Sequence, residues 1–495
     1  MIKIKLKVKF LKLSAGIPVV MLNRKIAEKM GVHVRERVLI ETVSKNKKKI
    51  LSVVDLIGGV RKNEILVSFE IKERLGLRKG QFVEVVLGAA PKSLVFIKKK
   101  LDNHELKKSE IKKIISEVVN NSLSEAEIAL FISAMYKNGM SFKETVFLIE
   151  SILETGNKLN LKNKFIADKH CIGGVAGNRT TPIVVSICAA AGVVFPKTSS
   201  RAITSAAGTA DVIETIANID FSMDELRKII HKTNASLAWG GGIGMVPADS
   251  KIIKIEKMLK IDPKAQLLAS IMAKKLAMGS KYILIDIPFG KGAKVSKKGA
   301  LELKKQFERL GKHFKLKLRV VLTDGSQPIG NGIGPALELI DVARVLDPEK
   351  KGPQDLDDKS LFLAGQIFEM VGKAKKGKGM VLAREILDSG KAFKKFNEII
   401  DAQGRKIKRI HLSEYKKDIF CKKSGKIVEM DNKKINNFGR VAGCPVDKFA
   451  GLYLYKHVGD EVYKKDKLLT IYAESKSRLR QAVKFYKSSG AIVVR

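Results

Sequence analysis

Two loops carry the residue types best suited to chemistry. The first lies in Asp168-Lys169-His170-Cys171-Ile172-Gly173-Gly174-Val175-Ala176-Gly177-Asn178-Arg179-Thr180-Thr181-Pro182. Phe165-Ile166-Ala167 ahead of it reads as the end of a buried strand, and the apolar run 183–191, stopped by Gly192, reads as a buried helix. Thr181 is placed to cap that helix, with Pro182 at its first position, where a missing N–H costs nothing. A strand, a glycine-rich turn and a helix N-terminus bring backbone N–H groups and a positive dipole end toward an anion. Lys169 and Arg179 add full positive charges on either side. The Walker A spacing is absent, since Asn178-Arg179 stands where Lys would follow the glycine. A second loop follows the short strand Val193-Val194-Phe195. From Lys197 to Thr209 it offers Thr198, Ser199, Ser200, Arg201, Thr204 and Ser205 without a carboxylate. A Ser/Thr turn with solvated charges is the plainer reading. Two donor-rich loops, each at the carboxyl end of a strand in an α/β pattern, point instead to phosphate.

Asp262, Gln266, Ser270 and Lys274 recur at every fourth position of a segment that otherwise carries Leu267, Leu268, Ile271, Met272 and Leu276. That spacing lays a polar stripe along an apolar helix, as the wall of a cleft requires. Asp262 before Pro263 also fits an ordinary helix cap. A third loop, Phe289-Gly290-Lys291-Gly292-Ala293-Lys294, follows the apolar strand 282–287. A fourth, Asp324-Gly325-Ser326-Gln327-Pro328, follows the strand 318–323. Cys171, Cys188, Cys421 and Cys444 have no Cys-x-x-Cys spacing and no histidine cluster nearby, so neither zinc nor a disulfide framework is expected. The chain therefore reads as cytoplasmic, with no metal and no cofactor.

The elements that must position these loops read as four domains, a number that suits 495 residues. Residues 1–88 contain a repeat: Ile26-Ala27-Glu28-Lys29-Met30-Gly31 and Ile71-Lys72-Glu73-Arg74-Leu75-Gly76 are 45 positions apart, each between two strands. Two strand–helix–strand halves predict a pseudo-twofold, double-psi-like β-barrel for assembly or for covering a substrate. Residues 89–162 read as a helical domain, with a capping box at Ser122 and Glu125 and a helix over 144–153, and residues 247–279 return to it. Residues 163–246 and 280–400 alternate strand, loop and helix, which predicts a large α/β domain with a central mixed sheet. There Ser222 and Glu225 cap a further helix. Residues 401–495 form a C-terminal α+β subdomain. Its His457-Val458-Gly459-Asp460 turn is of hammerhead type without an acceptor lysine, so a structural part is expected.

Met1 to Phe10 alternate with period two, a strand pattern unlike a signal peptide, and no run is long enough to span a membrane. The net charge of +43 raises nucleic-acid binding as a reading. The lysines, however, are spread through every segment and not interleaved with aromatics, which make up only 6% of the chain. A cationic, solvated surface that draws in doubly charged substrates is preferred over a specific nucleic-acid partner.

The motifs KHCIGGVAGNRTTP and KTSSRAITSAAGTAD resemble the nucleoside phosphorylase family that includes thymidine phosphorylase, and within it the archaeal AMP phosphorylase branch. The similarity runs over nearly the whole chain. It implies phosphorolysis of a nucleoside 5′-monophosphate: AMP and orthophosphate give adenine and ribose 1,5-bisphosphate, with CMP and UMP as further substrates. By resemblance Asp262 is the acid, and nucleotide contacts fall to Gly174, Ser200, Arg201, Ala202, Ile203, Thr204, Ser205, Thr209, Ser270 and Lys294. Lys169 and Ser199 match positions that contact phosphate in the pyrimidine-nucleoside relatives. Cys171-Ile172 departs from the Ser-Thr of those relatives and favours the nucleotide branch. A homodimer or higher homo-oligomer is implied. Two alternatives share the fold: a thymidine or pyrimidine-nucleoside phosphorylase, and an anthranilate-type phosphoribosyltransferase. The latter would need Mg²⁺ on carboxylates such as Asp211 and Glu214, which otherwise read as solvated.

Overall fold

In the computed structural model, which describes residues 2–12, 14–44, 46–161, 163, 165–202, 205–407 and 409–495, the chain divides by its contacts into two units. One comprises Met1–Thr155 and Pro247–Ser270, the other Gly156–Val246 and Ile271–Arg495. No helix among the described residues is long and apolar enough to cross a membrane.

The first unit opens with strands β1 (Lys3–Phe10), β2 (Val19–Leu22), β3 (Arg37–Thr42), β4 (Lys49–Leu56), β5 (Glu64–Val67) and β6 (Phe82–Leu87). They close a barrel in the order β1-β5-β2-β4-β3-β6. Helices α1 (Arg24–Met30) and α2 (Phe69–Leu75) occupy equivalent places in the two halves, and each ends at a left-handed glycine, Gly31 or Gly76. The halves exchange strands: β1 pairs in parallel with β5, and β4 with β2. That exchange is what the repeat and the expected pseudo-twofold barrel require. Alternation in β1 sends Leu6 and Val8 into a core shared with Val20, Leu22, Ile65 and Val85.

Helices α3 (Ser93–Leu101), α4 (Lys108–Val119), α5 (Glu125–Asn138) and α6 (Phe142–Glu154) follow, and α10 (Pro247–Leu259) packs against α4 and α5. The capping box of α5 is Ser124 with Glu127, not Ser122 with Glu125. The helix starts at Glu125, so Glu127 is its third residue and accepts the Ser124 N–H at 2.6 Å. The Ser122 N–H is used by the Glu117 carbonyl of α4, at 2.9 Å. Helix α6 likewise begins two residues earlier than the apolar pattern suggests, because Ser141 and Glu144 form its box.

In the second unit strand and helix alternate: β7 (Ala167–Cys171), α7 (Thr180–Ala190), β8 (Phe195–Ser199), α8 (Thr209–Glu214), α9 (Met223–Thr233), β9 (Ala235–Trp239). After α11 (Lys264–Ala277), within which the division between units falls, come β10 (Tyr282–Phe289), α12 (Lys297–His313), β11 (Lys317–Asp324), β12 (Gly332–Ile333) and α13 (Pro335–Leu346). Helices α14 (Gln354–Val371), α15 (Gly379–Asp388) and α16 (Lys391–Ala402) complete the α/β part. Strands β11, β10 and β7 pair in parallel, as do β8 and β9, and a parallel bridge Ile166–Val194 joins the two groups. These named strands thus pair in parallel where a mixed sheet is expected, and antiparallel pairing appears in a separate sheet, where β12 joins the C-terminal strands. The box of Ser222 and Glu225 caps α9 as read from the sequence.

Helix α7 has no polar face because it is buried all round, by Leu363 and Phe368 of α14 and Ile399 of α16 among others. It begins at Thr180, with Arg179 at the cap, so the expected cap at Thr181 is two residues late. Pro182 still falls in the first turn, where its lack of an N–H is harmless.

The C-terminal part holds β13 (Tyr415–Phe420), β14 (Gly425–Met430), α17 (Asn432–Ala442), β15 (Gly451–Leu454), β16 (Glu461–Val462), β17 (Lys467–Ala473), α18 (Lys476–Ser489) and β18 (Ile492–Val494). The antiparallel sheet β12-β15-β17-β13 and helix α17 share a core of Ile333, Leu452, Ile435 and Phe438, which Ala176 and Ala206 of the two loops also enter.

Candidate active site

Strand β7 buries Lys169, 1% exposed, and delivers its ammonium to the start of α7. There Nζ donates to Thr180 Oγ1 at 2.6 Å and lies 3.4 Å from Thr181 Oγ1. Burial pushes this lysine down to about 8, against the pull of Asp286. Asp168 beside it is wholly buried and accepts from two further lysines, Lys275 of α11 at 2.7 Å and Lys197 of β8 at 3.2 Å. Lys197 also donates to the Lys169 carbonyl at 2.8 Å, which ties β7 to β8. Burial lowers Lys275 below its ordinary range, with Asp168 opposing the shift. Asp286 of β10 accepts from Thr323 at 2.6 Å and stands 3.3 Å from Lys359 of α14. Four mostly buried ammonium groups thus face two carboxylates, Asp168 and Asp286. Such an excess of positive charge suits an anion. His170 is held below its ordinary range by burial and by these lysines.

The first loop turns through Gly173, Gly174 and Gly177, at φ of 86°, 97° and 69°. A Cβ on Gly174 would stand 2.8 Å from the Lys294 backbone nitrogen, so glycine there is what lets the first and third loops touch. Cys171 Sγ accepts from Gly173 N and Asn178 Nδ2 at 3.4 Å each, and burial pushes its thiol up to about 11. It therefore serves as a neutral acceptor across the neck of the loop. Arg179 is not the flanking charge its position suggests. Its guanidinium donates to Glu338 at 2.6 Å, Thr209 Oγ1 at 2.7 Å and the Ala207 carbonyl at 3.0 Å. It clamps the first loop to the second, and Thr209 is one of its partners.

In the second loop, Thr198 Oγ1 and Ser199 Oγ are buried without a hydrogen-bond partner among the described residues. Ser200 is exposed, and Ser205 Oγ donates to the Ala207 carbonyl at 3.0 Å. Ile203 and Thr204 lie outside the described residues. Arg201 forks onto Glu214 at 2.5 and 2.6 Å and lies over the Trp239 ring, 4.9 Å from its centre. That fork pulls Glu214 down to about 2. Asp211 accepts from Ala202 N at 2.7 Å and Gly208 N at 2.9 Å, and Lys448 pairs with both acids, at 3.3 and 2.9 Å. Asp211 and Glu214 are thus not solvated, contrary to the reading of α8 as an exposed helix. The loop folds over them, and Lys448 arrives from far along the chain. Their oxygens are committed to cations and amides, which leaves the magnesium-dependent alternative without its two named ligands.

Asp262 and Ser270 belong to the unit that holds the barrel and helices, Asp262 just ahead of α11 and Ser270 within it. The polar stripe is not a free surface at Gln266, whose Nε2 donates to Asp249 of α10 at 3.0 Å. Sequence reasoning missed Asp168 and Lys275 as a pair, Glu214 and Lys448, and two asparagines of α17, Asn432 and Asn436, that accept from the loops. Their partners lie tens to hundreds of positions away, so spacing held no signal for them.

Residues 95–156 match the helical bundle domain of the glycosyl transferase family, residues 163–393 its a/b domain, and residues 426–492 the pyrimidine nucleoside phosphorylase C-terminal domain. The AMP phosphorylase of Pyrococcus abyssi is 47% identical over 482 residues, 96% of this chain and 95% of its own length. The chain belongs to the AMP phosphorylase family. A more distant member, the AMP phosphorylase of Methanococcus aeolicus, is 41% identical over 493 residues, 99% of this chain and 97% of its own length. The anthranilate phosphoribosyltransferase of Thermus thermophilus shares the fold at a TM-score of 0.52 and 20% identity, covering 62% of this chain and 98% of that one. For this member of the AMP phosphorylase family that likeness is one of architecture.

Proposed function

We propose that this chain catalyses the phosphorolysis of nucleoside 5′-monophosphates, AMP first among them, with CMP and UMP as further substrates. An orthophosphate oxygen forms a bond to the anomeric carbon as the bond from that carbon to the base nitrogen breaks. The electron pair of the broken bond leaves with the base, which takes up a proton, and the sugar becomes ribose 1,5-bisphosphate. The observation that carries the reading is the pair of donor-rich loops after β7 and β8, joined by Arg179 and backed by buried lysines. Two anions need holding in this reaction, the attacking phosphate and the substrate's own 5′-phosphate. Lys169 and Ser199 are assigned to the first. Arg201 with Ser200, Ala202 and Ser205 is assigned to the second, together with the neighbouring Ile203, Thr204 and Thr209, while Gly174, Lys294 and Ser270 complete the nucleotide contacts. Asp262 is assigned the proton that the departing base requires, a role that contributes roughly 10²–10⁴-fold.

The four free cysteines fit a reducing, cytoplasmic setting. A homo-oligomer is part of the proposal and is read directly by light scattering on the purified protein. The activity itself is tested by supplying AMP, CMP, UMP and their nucleosides with and without phosphate and identifying the sugar product.

A further inference from the structure

Helix α17 directs two asparagine side chains into the loops that the proposed function assigns to the two anions. Asn432 is fully buried and Asn436 is 7% exposed, one turn further on the same face. Asn432 Oδ1 accepts the Ala176 N–H of the first loop at 2.9 Å, and its Nδ2 donates to the Gly325 carbonyl of the fourth loop at 2.9 Å. Asn436 Oδ1 accepts the Ala206 N–H of the second loop at 2.9 Å, and its Nδ2 donates back to the Asn432 carbonyl at 2.9 Å. Every polar group of the two amides is therefore used, three times on a loop backbone and once to lock one asparagine to the other. Gly439, a turn beyond, keeps the helix close: a Cβ there would stand 3.0 Å from the Ala206 side chain. Buried amides that lose such a partner keep the full cost of desolvation, so the contacts hold the loops in place.

We infer that Asn432 and Asn436 are positioning residues that set the two anion loops against each other, so that the C-terminal segment takes part in substrate binding as well as in folding. Asn432 acts on the first loop, which follows Lys169, and Asn436 on the second, which carries Arg201. The inference rests on the proposed function, and its test separates the two. KM values for AMP and for phosphate are measured in Asn432→Ala and Asn436→Ala, beside Phe438→Leu, which disturbs the core under the same helix. Asn436→Ala should raise the KM for AMP roughly tenfold and that for phosphate clearly less, and Asn432→Ala should raise the KM for phosphate more than that for AMP. Phe438→Leu should lower the melting temperature and leave both constants alone. Serine variants at the two positions replace the alanine ones if the latter do not fold. Equal shifts of both constants in each variant, or none, with an active wild type, overturn the inference. A wild type without phosphorolysis overturns the proposed function. The loops are then compared by calorimetry with orthophosphate, where unchanged binding in Asn432→Ala also overturns the inference.

Discussion

Lys169 is the residue on which physical chemistry bears most directly. Its ordinary value of 10.5 falls to about 8 because burial penalises the ammonium more than Asp286 favours it. The unfolded chain therefore binds more protons than the folded one between about pH 8 and 10.5, and rising pH favours the fold in that window. Function runs the other way, since only the charged lysine attracts phosphate. The apparent KM for phosphate should climb as pH passes about 8, at a point where the KM for AMP changes less. A phosphate KM that stays flat to pH 9.5 or so would remove Lys169 from the anion site. At Asp262 the predicted effect is on turnover. Asp262→Asn should cut kcat by roughly 10²-fold or more and leave the KM for AMP close to wild type, because a proton donor acts in the transition state. Near-normal kcat would make Asp262 a helix cap alone. Residue types near the loops were legible in the sequence, but their pairings were not. Arg179 and Arg201 look alike on paper as free cations. One is paired with Glu338 and the other with Glu214, partners that only the folded chain brings near.

Local patterns fixed many of the elements, and they went astray where tertiary contacts override them. The glycine stops at Gly31 and Gly76 and the box at Ser222 follow from rules that act within one turn. The start of α7 lies two residues ahead of where Thr181-Pro182 would put it. Lys169 fastens Thr180 from strand β7, and no local helix rule contains that bond. The stripe on α11 is half legible for the same reason: its period was plain, but Gln266 points to Asp249, seventeen positions back. Among loops, Gly174 gives the sharpest test. Its φ of 97° and its contact with Lys294 leave no room for a side chain. Gly174→Ala should destabilise the protein by about 1–3 kcal/mol and raise the KM for AMP as Lys294 is displaced. A fully active variant with an unchanged melting temperature would show that the third loop stands apart from the site.

For the whole molecule, the sequence made the barrel clear because its repeat is a local signal carried twice. The two asparagines of α17 stayed hidden, since Asn432 meets Ala176 across 256 positions. The net charge of +43 has a consequence at this scale. A strongly cationic surface concentrates a dianionic nucleotide, and salt screens that attraction over about 10 Å at 0.1 M. Raising ionic strength from about 0.02 to 0.5 M should therefore lower kcat/KM for AMP several-fold and that for uncharged adenosine little. Equal responses would confine the effect of the charge to solubility.

The most direct test of the central claim is the identity of the sugar formed from AMP. With orthophosphate and no added divalent metal, phosphorus NMR of the reaction should show one sugar carrying two phosphate esters, formed in step with free adenine and only when phosphate is present. Ribose 5-phosphate instead, or ribose 1-phosphate from adenosine with AMP untouched, would contradict the account.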